Sequence, residues 1–169
     1  MPDKPLAYFI TFSCYGHRFH GDATWSVDRR HRSHGQPPLE ENPALEAYEM
    51  RLMLDAPYEL DAKRGRIVID GLADVCRRRD WRLRAVHVRS NHVHVVVGAG
   101  TTPERVMVAL KAYASRYLNA SGLENAKGRR WAEHGSTIYL WSDEDVASAM
   151  AYVLRGQGEP MAVYEESLE

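Results

Sequence analysis

Two histidines stand two residues apart in the run Ser90-Asn91-His92-Val93-His94-Val95-Val96-Val97. The valines predict a β-strand, in which side chains alternate between faces. His92 and His94 then share one face, while Val93 and Val95 take the other. A strand holds two such imidazoles at chelating separation, and neutral imidazole is a good ligand for a divalent cation. A half-exposed strand with incidental histidines fits the same residues, so the pair alone leaves ligand and bystander both open.

A metal at that pair needs a reacting group brought in from elsewhere in the chain. Cys14 has no cationic neighbour in sequence to lower its pKa and is set aside. Tyr113 and Tyr117 fall, at 100° per residue, beside Val106 and Leu110, so they read as core. The helix predicted over residues 142–155 has an apolar stripe of Val146, Ala149, Met150, Val153 and Leu154. Tyr152 lies about 120° from Val146, on the flank of that stripe, where a phenol can reach outward as a nucleophile. An ordinary boundary tyrosine would occupy the same place.

The elements that must position these groups can be read from the pattern. Residues 8–15 (YFITFSCY) are aromatic and β-branched and end at Gly16, which predicts a first strand. Residues 17–42 carry Pro37-Pro38, Gly21, Gly35 and four histidines, too punctuated for core, and read as a long loop able to act as a lid. A short helix is expected over residues 43–54. A firmer helix spans residues 61–79, where Ile67, Val68, Leu72 and Val75 recur at helical spacing. Residues 81–88 and 92–97 read as strands joined by a tight Arg89-Ser90-Asn91 turn. Thr102 is an N-cap, with Pro103 at the first helical position of a helix to about Asn119. Residues 137–141 form a fourth strand. Ser142 caps the last helix, three acids fill its first turn, and Gly156 and Gly158 end it.

The order β-α-β-β-α-β-α predicts an α+β fold: a ferredoxin-like, split βαβ antiparallel sheet with an added C-terminal helix. Two helices are expected on one face of the sheet, leaving the other free for a site. The 169 residues, 44% hydrophobic, suit a single domain over residues 1–169 with an irregular insertion at about 17–60. No apolar run reaches the roughly 20 residues of a membrane span, and no signal-peptide core opens the chain. Cys14 and Cys76 match no disulfide or zinc framework, so a reduced, cytoplasmic protein is expected. The net charge of -1 hides an asymmetry. Residues 61–133 hold 15 Lys+Arg against 7 Asp+Glu, whereas residues 142–169 hold only Arg155 against seven acids. A basic centre of that kind suits a polyanion, although charge runs are also ordinary solvated faces.

Taken in order, these features resemble a known family. HVH after a turn ending in Asn is similar to the His-hydrophobic-His motif of the HUH nucleases. The lone tyrosine on a C-terminal helix resembles the single-tyrosine HUH transposases: the insertion-sequence-200-like group and the REP-associated tyrosine transposases. The likeness covers most of the chain: the aromatic first strand, the strand pair around SNHVHVVV, helix 103–117, and the stretch from Arg130-Trp131 to Tyr152. The HVH motif is weakly specific; the ordered combination is strong.

The resemblance implies that Tyr152 cuts single-stranded DNA, leaving a 5′-phosphotyrosine and a free 3′-hydroxyl without a nucleoside triphosphate. It implies Mg²⁺ or Mn²⁺ at His92 and His94, in a transesterification that a 3′-hydroxyl can reverse. Family members carry a Gln or Asn four residues after the tyrosine as third ligand. Here that position is Gly156, and Gln157 stands one further on, about 140° from Tyr152 in a straight helix. Gln157 becomes the third ligand only if the flanking glycines unwind the helix and turn its amide inward.

Phosphates of single-stranded or hairpin DNA are expected on Arg78, Arg79, Arg82, Lys111, Arg116, Arg129 and Arg130, with Trp131 or Tyr15 stacking on bases. Monomer and homodimer are both open. Two other readings compete: a non-catalytic nucleic-acid-binding module, since ferredoxin-like sheets with aromatics also bind RNA, and a domesticated member that cuts but no longer moves DNA.

Overall fold

The computed structural model describes residues 3–17, 56–124 and 128–167, together with positions 43, 44, 47 and 51. Beyond His17, the loop expected over residues 17–42 lies outside them, as does most of the helix expected over residues 43–54. Five strands form one antiparallel sheet: β1 (Ala7–Ser13), β2 (Arg82–Val88), β3 (His92–Gly98), β4 (Ser136–Leu140) and β5 (Ala162–Glu165). Three helices are described from end to end: α1 (Ala62–Arg78), α2 (Pro103–Ala120) and α3 (Asp143–Arg155); positions 43, 44, 47 and 51 are helical as well. The sheet order is β4-β1-β3-β2-β5. The first four strands with α1 and α2 make the split βαβ arrangement that the element order predicts.

Alternation along the strands builds two cores. Ile10 and Phe12 of β1, Val86 and Val88 of β2, and Val93, Val95 and Val97 of β3 face α1 and α2. There they meet Val68, Leu72 and Val75 of the first helix, and Val106, Leu110 and Leu118 of the second. The opposite face is not left free, as the sequence suggested. Ala7, Ala85, Val96 and Leu140 lie under Val146, Ala149 and Val153 of α3, with Phe9, Ile138, Met150 and Leu154 packed around them. These sheet positions are small or apolar, so the C-terminal helix has a stripe to cover.

The helix starts follow the expected chemistry. Asp61 accepts the Arg64 N–H at 2.8 Å, and Thr102 caps α2 with Pro103 in the first turn. Ser142 and Asp145 form a reciprocal capping box, each bond 3.1 Å. The strand β5 is absent from the sequence reading. It is four residues long at a sheet edge, pairing only with β2, and its anchor is the fully buried Ala162. A segment that short, between glycines and acids, carries little periodicity. No helix among the described residues is long and apolar enough to cross a membrane.

Candidate functional site

Register places the site. Thr11 of β1 pairs with His94 of β3, and His94 pairs with His87 of β2, so three polar side chains lie in one row across the α3 face. One step along, Ser13 pairs with His92. The His92 and His94 rings are 4.6 Å apart between centroids, edge to face. Each imidazole has a fixed Nδ1 contact. Asn91 Oδ1 lies 2.6 Å from Nδ1 of His92, and Thr11 Oγ1 lies 2.8 Å from Nδ1 of His94. The Asn91 amide oxygen only accepts, which puts the proton of His92 on Nδ1 and makes Nε2 its unprotonated nitrogen. Outer hydrogen bonds of this kind orient imidazoles that bind metal.

The end of α3 completes the constellation. Tyr152 is 47% exposed, whereas Val153 beside it is fully buried, so the phenol does project from the flank of the helix. Its ring sits 5.8 Å from that of Phe9 and 5.9 Å from that of His94. Gly156 caps the helix against the tyrosine. A Cβ there would lie 2.8 Å from the Tyr152 carbonyl oxygen, closer than a side chain tolerates, and 3.1 Å from its ring, a tight contact. Gly158 follows with φ +74°, a conformation glycine adopts without strain. The chain therefore leaves the helical path before Gln157, whose Oε1 comes within 3.1 Å of His94 Nε2. The straight-helix offset of Gln157 does not apply.

Two imidazole nitrogens and an amide oxygen are donors that could take a divalent cation. Two ligand atoms at right angles on an octahedral ion, with bonds of about 2.1 Å, stand about 3 Å apart. The spacing of His94 Nε2 and Gln157 Oε1 matches. In the metal-free protein the Gln157 amide oxygen only accepts, so His94 Nε2 donates to it and the Thr11 hydroxyl donates to Nδ1. A bound ion would require the other tautomer, with the Nδ1 proton donated to Thr11 Oγ1 and the Nε2 lone pair turned to the metal. Among the described residues no three His, Cys, Asp or Glu side chains gather for a metal. Two imidazoles and a neutral amide would not fill the coordination sphere of such an ion.

His87, Arg89, Thr11 and Phe9 belong to the neighbourhood and were not singled out from sequence. Extending the Arg89-Ser90-Asn91 hairpin outward pairs His87 with His94, so that one was legible. The Cys14 thiol, fully buried, is pushed up to about 12 by desolvation and is no nucleophile.

The residues expected on phosphates fare differently. Arg78 pairs with Asp74 at 2.9 Å and Arg82 with Glu166 at 2.6 Å, both guanidinium groups staying largely exposed. Arg79 lies over Trp81, Arg116 over Tyr113 and Arg129 over Tyr15. Three others are engaged inside the fold. Lys111 donates to the carbonyls of Ala132 and His134, and burial pulls its ammonium down to about 8. Arg130 donates to Asn119 Oδ1 at 2.8 Å, with only a tenth of its side chain exposed. Trp131 donates to Ser115 Oγ and packs edge-on against Phe12, on the α1–α2 side of the sheet. Tyr117 donates to Asp74 on that side too, and Tyr113 packs at the border of the same core.

Comparison with known proteins bears on this arrangement. No curated protein matches the chain. Among solved structures, it is similar to a REP-associated tyrosine transposase bound to a REP hairpin, at 13% identity and a TM-score of 0.47. That match covers 89% of this chain, which spans 65% of the length of that one. It is similar also to a provisionally assigned transposase from Deinococcus radiodurans R1, at 16% identity and a TM-score of 0.47, covering 90% and 91% of the two chains. The model of the family described as "Transposase IS200 like" matches residues 61–153, from the N-cap of α1 to the residue after Tyr152. That stretch is more than half of the chain and holds the histidine strand, both flanking helices and the exposed tyrosine: the chain belongs to the IS200-like transposase family.

Proposed function

We propose that the protein cuts and rejoins single-stranded DNA through a covalent link to Tyr152. The observation that carries this reading is the meeting of three elements at one point. The exposed phenol of α3 lies against the ring of His94, and the Gln157 amide reaches the same ring. His92, His94 and Gln157 would hold Mg²⁺ or Mn²⁺. Such an ion, when bound, supplies positive charge to the scissile phosphate and its developing oxyanion.

The phenol oxygen of Tyr152 attacks phosphorus in line, a tyrosine–phosphate bond forms and the bond to the 3′-oxygen breaks. The phenol gives up its proton and the departing oxygen takes one, becoming a 3′-hydroxyl. Phosphodiester energy is kept in the new ester, so a 3′-hydroxyl reverses the step and joins strands. Phe9 packs against both the Tyr152 and His94 rings, limiting where the phenol swings. Phosphates beyond the scissile one are drawn by the basic surplus of residues 61–133, with Arg78, Arg79, Arg82, Arg116 and Arg129 the exposed or partly exposed candidates.

The protein is incubated with single-stranded, hairpin and plain duplex DNA, with Mg²⁺ and with a chelator. Nicking of the first two, only with the metal, is expected. Binding is expected to fall with salt along a log–log slope of about -3, which four single-strand phosphate contacts would give. Tight binding without cleavage would favour a nucleic-acid-binding module instead, and a flat salt response would remove the phosphate contacts.

A further inference from the structure

The end of β2 and the residue that follows it turn two polar side chains toward the end of α3. His87 is fully buried, with Nδ1 3.0 Å from the Val153 carbonyl oxygen, and the Met161 backbone N–H donates to its Nε2 at 3.3 Å. A carbonyl only accepts, so the proton sits on Nδ1, and one neutral tautomer satisfies both contacts. Burial favours that neutral form. Two residues on, the Arg89 guanidinium donates to the carbonyl oxygen of Gln157 and, at 2.9 Å, to that of Glu159.

Four main-chain groups between residues 153 and 161 are thus held by two side chains, one from β2 and one from the residue just after it. The held stretch starts beside Tyr152 and contains Gln157. Residues 156–161 have no helix or strand of their own and include Gly156 and Gly158, so the backbone there has little intrinsic stiffness. A carbonyl bonded to a guanidinium is a charge-assisted contact, among the stronger ones available to a loop.

We propose that His87 and Arg89 are positioning residues of this site. They fasten the segment after α3 so that the Gln157 amide meets His94 and the Tyr152 ring stays beside it. Neither touches the reacting atoms; Arg89 acts through Gln157, and His87 through the last turn of α3. The proposal rests on the assignment of Gln157 and Tyr152 given above.

The test compares Arg89→Ala, Gln157→Ala and their double variant by two readouts. The first is Mn²⁺ affinity, followed by electron paramagnetic resonance without DNA. The second is the ¹⁵N resonances of the His94 ring in metal-free protein, which report the Gln157 contact. Arg89→Ala is expected to weaken Mn²⁺ binding about ten- to a hundredfold, the usual cost of losing an outer partner of a metal ligand. Its His94 signals are expected to move toward those of Gln157→Ala, and the double variant is expected to be no weaker than Gln157→Ala alone. Arg89→Lys keeps a cation within reach and is expected to lose less. It also takes the place of the alanine variant if that one does not fold. His87→Asn, which retains a donor near Nδ1, is expected to move the signals less than His87→Ala.

Wild-type Mn²⁺ affinity with unmoved His94 signals in Arg89→Ala would overturn the proposal. So would a double variant whose loss is the product of the two single losses, because Arg89 would then act independently of Gln157. If the wild-type protein binds no Mn²⁺, the metal part of the proposed function fails. The His94 signals then decide the positioning role alone, with movement in Arg89→Ala supporting it and constancy contradicting it.

Discussion

Tyr152→Phe is expected to fold, to bind single-stranded DNA with wild-type affinity, and to form no covalent protein–DNA complex on a denaturing gel. The change removes one oxygen from a side chain that is 47% exposed, so no buried polar partner is stranded. Its effect on stability should stay within about 0.5 kcal/mol, the range of surface substitutions that break no special contact. Losing the attacking atom, by contrast, removes the reaction. Tyr113→Phe and Tyr117→Phe serve as controls and should still form the complex. Tyr117→Phe loses a hydrogen bond to Asp74, worth about 1 kcal/mol, so it melts earlier without losing activity. A complex that persists in Tyr152→Phe would contradict the assignment.

Replacing the histidines should be nearly as severe. His92→Ala and His94→Ala are each expected to lower the cleavage rate by about a hundredfold or more, and the double variant to abolish it, because the ion's place on the sheet is gone. The two differ in their cost to the fold. His94 is buried and hydrogen-bonded to Thr11, so its loss leaves a buried hydroxyl without its partner, at about 1–3 kcal/mol. His92 is less buried, and its Nδ1 partner is the neighbouring Asn91, so His92→Ala should melt closer to the wild type. Thermal denaturation beside the nicking assay separates the two effects. A double variant that nicks at the wild-type rate with Mg²⁺ would contradict the metal role.

Local chemistry made much of this fold legible in the sequence. The four-strand, two-helix frame follows from valine-rich and aromatic runs, from Thr102-Pro103 and Ser142 as helix starts, and from the tight turn before His92. The place of Tyr152 came from helical phasing alone. Three features were out of reach because they depend on tertiary contacts. The face expected to be open is partly covered by α3, since Ala7, Ala85 and Val96 form a second apolar surface only once β1, β2 and β3 lie side by side. Lys111, Arg130 and Trp131 have the composition of a nucleic-acid surface, yet the chain turns their polar groups onto Ala132, Asn119 and Ser115. Gln157 was a matter of how the helix ends, and the backbone at Gly156 and Gly158 brings its amide to His94.

The central claim is that Tyr152 is the residue joined to DNA. Wild-type protein is reacted with a single-stranded oligonucleotide and Mg²⁺, the adduct is trimmed with nuclease and digested with protease, and the modified peptide is sequenced by mass spectrometry. A nucleotide 5′-phosphate on the peptide containing Tyr152 is the predicted result. The same modification on Tyr113, Tyr117 or any other tyrosine, or cleavage with no adduct at all, would contradict it.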